Sequence, residues 1–526
     1  MQSSHFFRLG LSSNDFRKIL HIANSNAGLF YNFRLAHDNE GKVFIADKLN
    51  GKKLNYEYLR CAKPNFTDNS LIAFVLPKNL IGHNKYNFEI EYRIYLKNKI
   101  SDSHFYNFEN WYFTLPPFIE GEFKKYPNHK FIEPFLDYSN YDVQIELPKE
   151  FKIATSGNCI LREDGNTNIF NVKVNNITRF NWFAFNDLIE HKKNIVVKNY
   201  TINVLLLISS SKDNYVDRYF DAATKYLNDL SNLGTLSNNQ ITIVDLPNNA
   251  VPNKSYPNLI ALNTDLVSPI KTQKLEYKLA LLFAEQYFGN IIVSNGLEES
   301  WLMKGVSSYL AEKMVKNNYG DLYSFFTFGD YYPIYGLHFM SYAGIPIIYT
   351  ISDNIVPEGG RLIEKYYNNL AFSNLSTVSY KQPTFDSFQV SAYVKPQIAL
   401  LTLENIIGNK KLRENLIAYS KKYKFKHPTS KDFRTNILAN VDESVYTIYD
   451  EMFTTDKSFD YAIRSITKRE NDLYDILVER VKDGVMPINL NVFTQDDTLH
   501  YFWDGIDKVK IFTVQSNSEI VSAELD

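Results

Sequence analysis

The sequence predicts a multi-domain α+β chain with an N-terminal antiparallel β-domain, an α+β middle domain and a short β tail. Three observations predict it. The 526 residues exceed what one compact core accommodates and suggest roughly three to four domains. Apolar residues alternate with polar ones through the first part of the chain, and helical spacing replaces that alternation after residue 214. Hydrophobic residues at 44% and charged residues at 22% describe an ordinary globular mixture rather than a disordered chain.

The expected boundaries are 1–205 for the β-rich domain, 206–465 for the α+β domain, and 466–526 for a linker helix and the β tail. In the first zone Phe88, Ile90, Tyr92, Ile94 and Leu96 alternate with polar residues, as one buried strand face requires. Val143, Ile145 and Leu147 repeat the pattern before Pro148. Ile169–Val174 and Val204–Ile208 read as further strands. In the middle zone Val216, Tyr219, Phe220, Ala223, Tyr226, Leu227 and Leu230 form a helical stripe, with Gly234 as the C-terminal cap. Strands follow at Ile241–Leu246 and Leu259–Leu262. Helices are expected from about Gln273 to Phe288, from about Trp301 to Lys316, and before Gly408. The tail is read from Ile488–Val492, Lys508–Val514 and Ile520–Leu525, a stretch too short for a large domain.

Composition narrows the function classes. Lys plus Arg number 57 and Asp plus Glu 59, so the net charge of −2 gives no electrostatic reason to expect nucleic acid. Two cysteines, Cys61 and Cys159, exclude a disulfide scaffold and a cysteine-rich zinc module. The apolar runs fall far below the ~20 residues of a membrane span, and the N-terminus lacks a secretory pattern, so no direct membrane insertion and a cytoplasmic location are expected. The ten histidines show neither H-x-x-x-H nor H-x-H spacing, although His338 falls between the segments of interest. No nucleophile elbow, P-loop or C-x-x-C occurs. The basic-aromatic run Lys421–His427 reads as a solvated connection.

One stretch carries chemistry. Ala280-Leu-Leu-Phe-Ala-Glu285-Gln-Tyr-Phe-Gly-Asn290 is followed, ten residues later, by Trp301-Leu-Met-Lys304-Gly-Val-Ser-Ser-Tyr309-Leu. This pair resembles the core signature of the gluzincin zinc aminopeptidases, of the membrane alanyl and puromycin-sensitive type. Members carry H-E-x-x-H-x-W-F-G-N on one helix and W-L-N-E-G-x-A-x-Y on the next. The frame matches at Gln286, Phe288, Gly289, Asn290, Trp301, Leu302, Gly305, Ser308 and Tyr309. Weaker likenesses extend it over roughly residues 85 to 526: Asn110-Trp-Tyr-Phe, Tyr141–Pro148, Ser255-Tyr-Pro-Asn-Leu-Ile, Tyr393-Val-Lys395 and His427–Phe433. The resemblance implies a thermolysin-like α+β domain in the middle of the chain.

It also implies a metal site whose residues are replaced. H-E-x-x-H places two imidazoles on one helical face, the Glu between them serving as general base, and the next helix adds a third ligand. Here the first histidine position is Leu281, the base position Leu282, the second histidine position Glu285 and the third ligand position Lys304. The strand that anchors a substrate's amino group reads Lys254-Ser255-Tyr256, with Ser255 at the position of the anchoring glutamate. Tyr393 matches the transition-state tyrosine. With one potential ligand left, no zinc or other cofactor is expected, and Lys304 is expected to pair with Glu285 across the vacated position. The reading is a catalytically inactive pseudopeptidase that acts by binding a protein or peptide partner. Its alternative is a metal-dependent aminopeptidase that uses non-standard ligands.

Overall fold

A computed structural model describes nearly all of residues 105–246, 253–264, 273–320 and 377–525, together with the backbone of seven strands between residues 5 and 93 and of the strands Met340–Tyr342 and Ile345–Ile348. His338 lies outside the described residues. The chain divides into two compact units, 1–361 with 420–429, and 362–419 with 430–526.

The first unit begins with antiparallel sheets. Asn87–Arg93, which holds the alternation from Phe88 to Tyr92, lies between His5–Gly10 and Phe44–Leu49. A second sheet orders Phe30–Arg34, Leu71–Val75 and Asn55–Tyr58. Ser139–Pro148 pairs with Thr167–Ile177 and shows why alternation is diagnostic: Val143, Ile145 and Leu147 are buried while Asp142, Gln144 and Glu146 face solvent. Trp182–Phe185 runs between Lys152–Thr155 and Phe105–Phe108, and the rings of Phe108 and Trp182 stack 3.8 Å apart.

A five-stranded mixed sheet follows. Its order is Leu188–Val197, Tyr200–Ser209, Gln240–Asp245, Leu259–Leu262 and Lys254–Tyr256, with the last strand antiparallel at the edge. Gln240–Asp245 and Leu259–Leu262 are buried along nearly their whole length, as strands covered on both faces are. The Val216–Leu230 helix buries the expected stripe from Tyr219 to Leu230 and ends in a 3₁₀ turn, Ser231–Leu233, before Gly234 at φ 133°. Helices Lys274–Tyr287 and Trp301–Tyr319 occupy the two positions read from their spacing.

In the second unit Phe385–Gln389, a π-helical turn Val390–Val394 and Lys395–Ile407 run on without a break to Gly408, at φ 86°. Helices Ser430–Ile437 and Ser444–Thr454 follow. The linker helix expected at the start of 466–526 is not there. Strand Tyr461–Lys468 occupies that place and opens a six-stranded sandwich. One sheet orders Tyr461–Lys468, Leu473–Arg480 and Val509–Gln515; the other orders Thr498–Trp503, Ile488–Thr494 and Ile520–Leu525. Ile476, Val478 and Val514 of one sheet share a core with Leu490, Val492 and Trp503 of the other, so the tail has a hydrophobic centre of its own. Among the described residues no helix is long and apolar enough to cross a membrane.

Candidate functional site

The site is built where the edge strand Lys254–Tyr256 meets the Lys274–Tyr287 helix. Ser255 joins them. Its hydroxyl donates to the Leu282 carbonyl at 2.9 Å and accepts from Gln286 Nε2 at 2.7 Å and Asn290 Nδ2 at 3.2 Å. Gln286 also donates to the Tyr256 carbonyl at 2.9 Å and accepts from the Asn258 N–H at 2.9 Å. Ser255 and Tyr256, the positions of the vestigial anchor strand, are both buried, and the Ser255 hydroxyl and Tyr256 carbonyl hold the strand onto the helix. Gly289 ends that helix at φ 151°, where an added Cβ meets the Glu285 carbonyl oxygen at 3.1 Å, and only glycine adopts this backbone without strain. The frame matches at Gln286, Gly289 and Asn290 are thus explained by the geometry of this helix end.

Within the frame, Leu282 is buried and Leu281 half-buried, and neither offers a donor atom. Glu285 lies one turn further on and is 4% exposed. Lys304 reaches it from the Trp301–Tyr319 helix, with Nζ donating to Glu285 Oε1 at 2.9 Å. Ser307 bonds the Phe288 carbonyl at 3.2 Å and fixes that helix to the end of the first. Trp301, Leu302, Val306 and Tyr309 of that helix are buried, while Lys304 is half-buried. Among the described residues no group of three or more His, Cys, Asp or Glu side chains is placed to hold a metal ion. Tyr393 belongs to the second unit, where its ring packs edge-on against Phe388 at 6.4 Å.

Beside this pair lies a charge cluster that sequence reasoning missed. Lys254 Nζ donates to Glu109 Oε1 at 2.6 Å and lies 3.3 Å from Glu133 Oε1. Arg179 Nη1 pairs with Glu133 Oε2, and its guanidinium sits 5.8 Å from the centre of the Tyr256 ring. Burial pushes the Glu133 carboxyl up, but Arg179, Lys254 and Lys304 together outweigh it and hold Glu133 at about 2. Glu109 has the opposite balance. Burial and then the neighbouring Glu133 charge raise it above the ordinary carboxylate range, against the pull of Lys254. Burial alone would lower Lys254, yet Glu133 and Glu109 raise it, so the ammonium stays charged. Lys304 therefore links the cluster to the Glu285 pair: it bonds one carboxylate and lowers a second.

Lys254 was legible as the neighbour of Ser255. Glu109, Glu133 and Arg179 carried no signal, since their partners lie far away in sequence. His427 closes the run read as a solvated connection, yet its Nδ1 lies 2.7 Å from the Val293 carbonyl, its Nε2 3.1 Å from Asp137 Oδ1, and its ring stacks on Tyr138. With Phe425 N–H on the Ile291 carbonyl at 2.9 Å, it ties the Lys421–His427 run to the segment between the two site helices.

Neither a protein-family model nor a curated protein sequence matches the chain. Solved structures do. A point mutant of an M1 zinc metallopeptidase from Deinococcus radiodurans superposes with a TM-score of 0.54 at 13% identity, over 80% of this chain and 86% of that one. The unmutated Deinococcus enzyme gives 0.53 at 13% identity over 80% and 85%. Legionella pneumophila aminopeptidase A, in complex with aspartic acid, gives 0.62 at 12% identity over 95% of this chain, which spans 55% of its length. Sequence identity this low speaks for the fold alone: this chain is built on the fold of the M1 zinc metallopeptidases.

Proposed function

We propose that this chain is a divergent, zinc-less relative of the gluzincin aminopeptidases that has no peptidase activity and acts by binding a protein or peptide partner. The observation that carries the reading is the 2.9 Å pair between Lys304 and Glu285. In the resembling family those two positions hold zinc ligands. A zinc site of this type needs three protein donors around the ion. Leu281 and Leu282 supply none, and Lys304 supplies a cation where a ligand would be needed. The donor set does not fit zinc. Lys304 instead provides a positive charge that neutralises Glu285 and joins the two helices.

Without zinc and a carboxylate at position 282, no residue of the motif activates water. A fold shared with peptidases does not restore that chemistry, because activity resides in the site. Ser255 and Tyr256 are committed to internal packing, and Lys254 holds the nearest carboxylates. Binding is the role this reading assigns, with no cofactor, no nucleic acid partner, no direct membrane insertion and a cytoplasmic location as parts of the same reading. The test is hydrolysis of a panel of aminoacyl-p-nitroanilides by the full chain with added zinc. The expected rate equals that of a Glu285→Ala variant and is unaffected by a chelator. A chelator-sensitive rate that Glu285→Ala abolishes would return the chain to the working peptidases.

A further inference from the structure

The second unit contains a cavity of about 270 Å³ between the Lys395–Ile407 helix, the Ser444–Thr454 helix and the β-sandwich. We propose that this cavity is a binding site for a small neutral aromatic molecule. Every lining residue belongs to the second unit, so the cavity is independent of the zinc question.

Size sets the first limit. A cavity of ~150 Å³ admits benzene, so this one has room for about ten heavy atoms, the size of a fused two-ring system. The wall sets the second. Ile398, Ala399 and Ile488 supply aliphatic surface, and Phe459 adds a ring. Met452 enters from the Ser444–Thr454 helix and Met486 from the sandwich side, so two thioethers reach the cavity from different elements. Thioether sulfur makes favourable contacts with aromatic rings, and the unbranched methionine side chain adapts to a flat surface. An aromatic ligand therefore gains more here than an aliphatic one of equal volume.

The polar groups of the wall set the charge. The Tyr461 hydroxyl is committed to the chain itself: it accepts from the Met486 N–H at 2.9 Å and lies 3.0 Å from the Met486 carbonyl and 3.3 Å from that of Gly484. The buried Lys395 ammonium is likewise already held, with Nζ donating to the Thr455 carbonyl at 3.1 Å among its contacts. A carboxylate would have to draw that ammonium away from the groups that hold it, and a cation would be repelled by it. Asp460 lines the cavity from an exposed position, where water screens its pull on a cation while it still disfavours an anion. A charged ligand thus gives up hydration without an equivalent replacement, and a neutral one does not. The half-buried Thr402 hydroxyl serves one weakly polar group on such a ligand as donor or acceptor.

The experiment is calorimetric titration of the 526-residue chain with indole, beside benzoate, benzamidine and cyclohexanemethanol as compact probes of similar size. Indole is expected to bind saturably at one site, and the charged benzoate and benzamidine at least about tenfold more weakly. Cyclohexanemethanol, neutral but without a ring for the sulfurs to meet, is expected to bind about threefold more weakly or worse. Thr402→Phe fills the cavity from a half-buried position on the helix and is expected to weaken indole by about tenfold or more. Should Thr402→Phe fail to fold, Ala399→Leu narrows the same wall and carries the same expectation. The proposal is overturned if benzoate, benzamidine or cyclohexanemethanol binds as tightly as indole. Indole binding unchanged in whichever variant folds, or no saturable indole binding at millimolar concentration, also overturns it.

Discussion

Replacing Lys304 with methionine lowers the stability of the first unit by about 3 kcal/mol. The substitution keeps most of the side chain's length and packing and removes the ammonium that Glu285 holds at 2.9 Å. Glu285 is then left as a carboxylate with 6% side-chain exposure and no cation on it from the neighbouring helix. Breaking a buried pair from one side typically costs ~3–5 kcal/mol. The lower end applies because a quarter of the Lys304 side chain is exposed and water screens part of its charge. Adding Glu285→Leu to Lys304→Met removes the stranded charge and recovers most of the loss. Urea unfolding of the two single variants and the double variant, read at constant m-value, measures the coupling directly. Equal midpoints for Lys304→Met and the wild type would mean that the pair contributes nothing to joining the helices.

Lys254→Met has an effect of similar size and a distinct pH signature. Lys254 is the cation shared by Glu109 and Glu133, at 2.6 and 3.3 Å. Its removal leaves two poorly solvated carboxylates facing each other, with Arg179 on one of them, and costs about 3–5 kcal/mol near neutral pH. The wild-type profile follows from the two shifts. Glu133 is depressed to about 2 from an ordinary 4.5, so its contribution is fully present above 4.5 and is lost as pH falls from there toward 2. Glu109 is raised, so its protonated form is favoured by the fold, and stability declines as pH climbs from 4.5 through its folded value. In Lys254→Met both carboxyls are raised relative to the wild type, and the decline toward neutral pH steepens. Glu109→Gln removes the wild-type decline and leaves the acid limb in place. Denaturation midpoints from mildly acidic to mildly alkaline pH separate these outcomes; a Lys254→Met profile parallel to wild type contradicts the shared-cation account.

What the sequence made legible follows from range. The two site helices were readable because helical spacing and the motif frame are local, and Lys304 could be placed opposite Glu285, 19 positions earlier, because the family resemblance puts both at ligand positions of one site. Val143, Ile145 and Leu147 were readable because one face of their strand is buried and the other is wet. Tyr461–Lys468 was not. It is an edge strand, half-buried for three residues and exposed for the next five, so no alternation marks it and a linker helix was expected instead. The charge cluster is a matter of topology. Glu109 follows one β-strand, Arg179 another, and Lys254 lies 145 residues from the carboxylate it bonds. Nothing local distinguishes those residues from surface charges. Ser255 illustrates a subtler limit: its place in the motif was legible, but that its hydroxyl faces the helix, with contacts to Leu282, Gln286 and Asn290, required the three-dimensional packing.

Lys304 and Glu285 form an internal ion pair, and metal content tests most directly the proposal that this pair takes the place of a metal site. The purified 526-residue chain is exposed to one equivalent of zinc, desalted, and assayed for bound metal. Less than about a tenth of an equivalent is expected to be retained, with no change in Glu285→Ala, because one carboxylate already paired with an ammonium does not make a zinc site. Near-stoichiometric zinc that Glu285→Ala abolishes would contradict it, and would mean that Glu285 exchanges Lys304 for a metal.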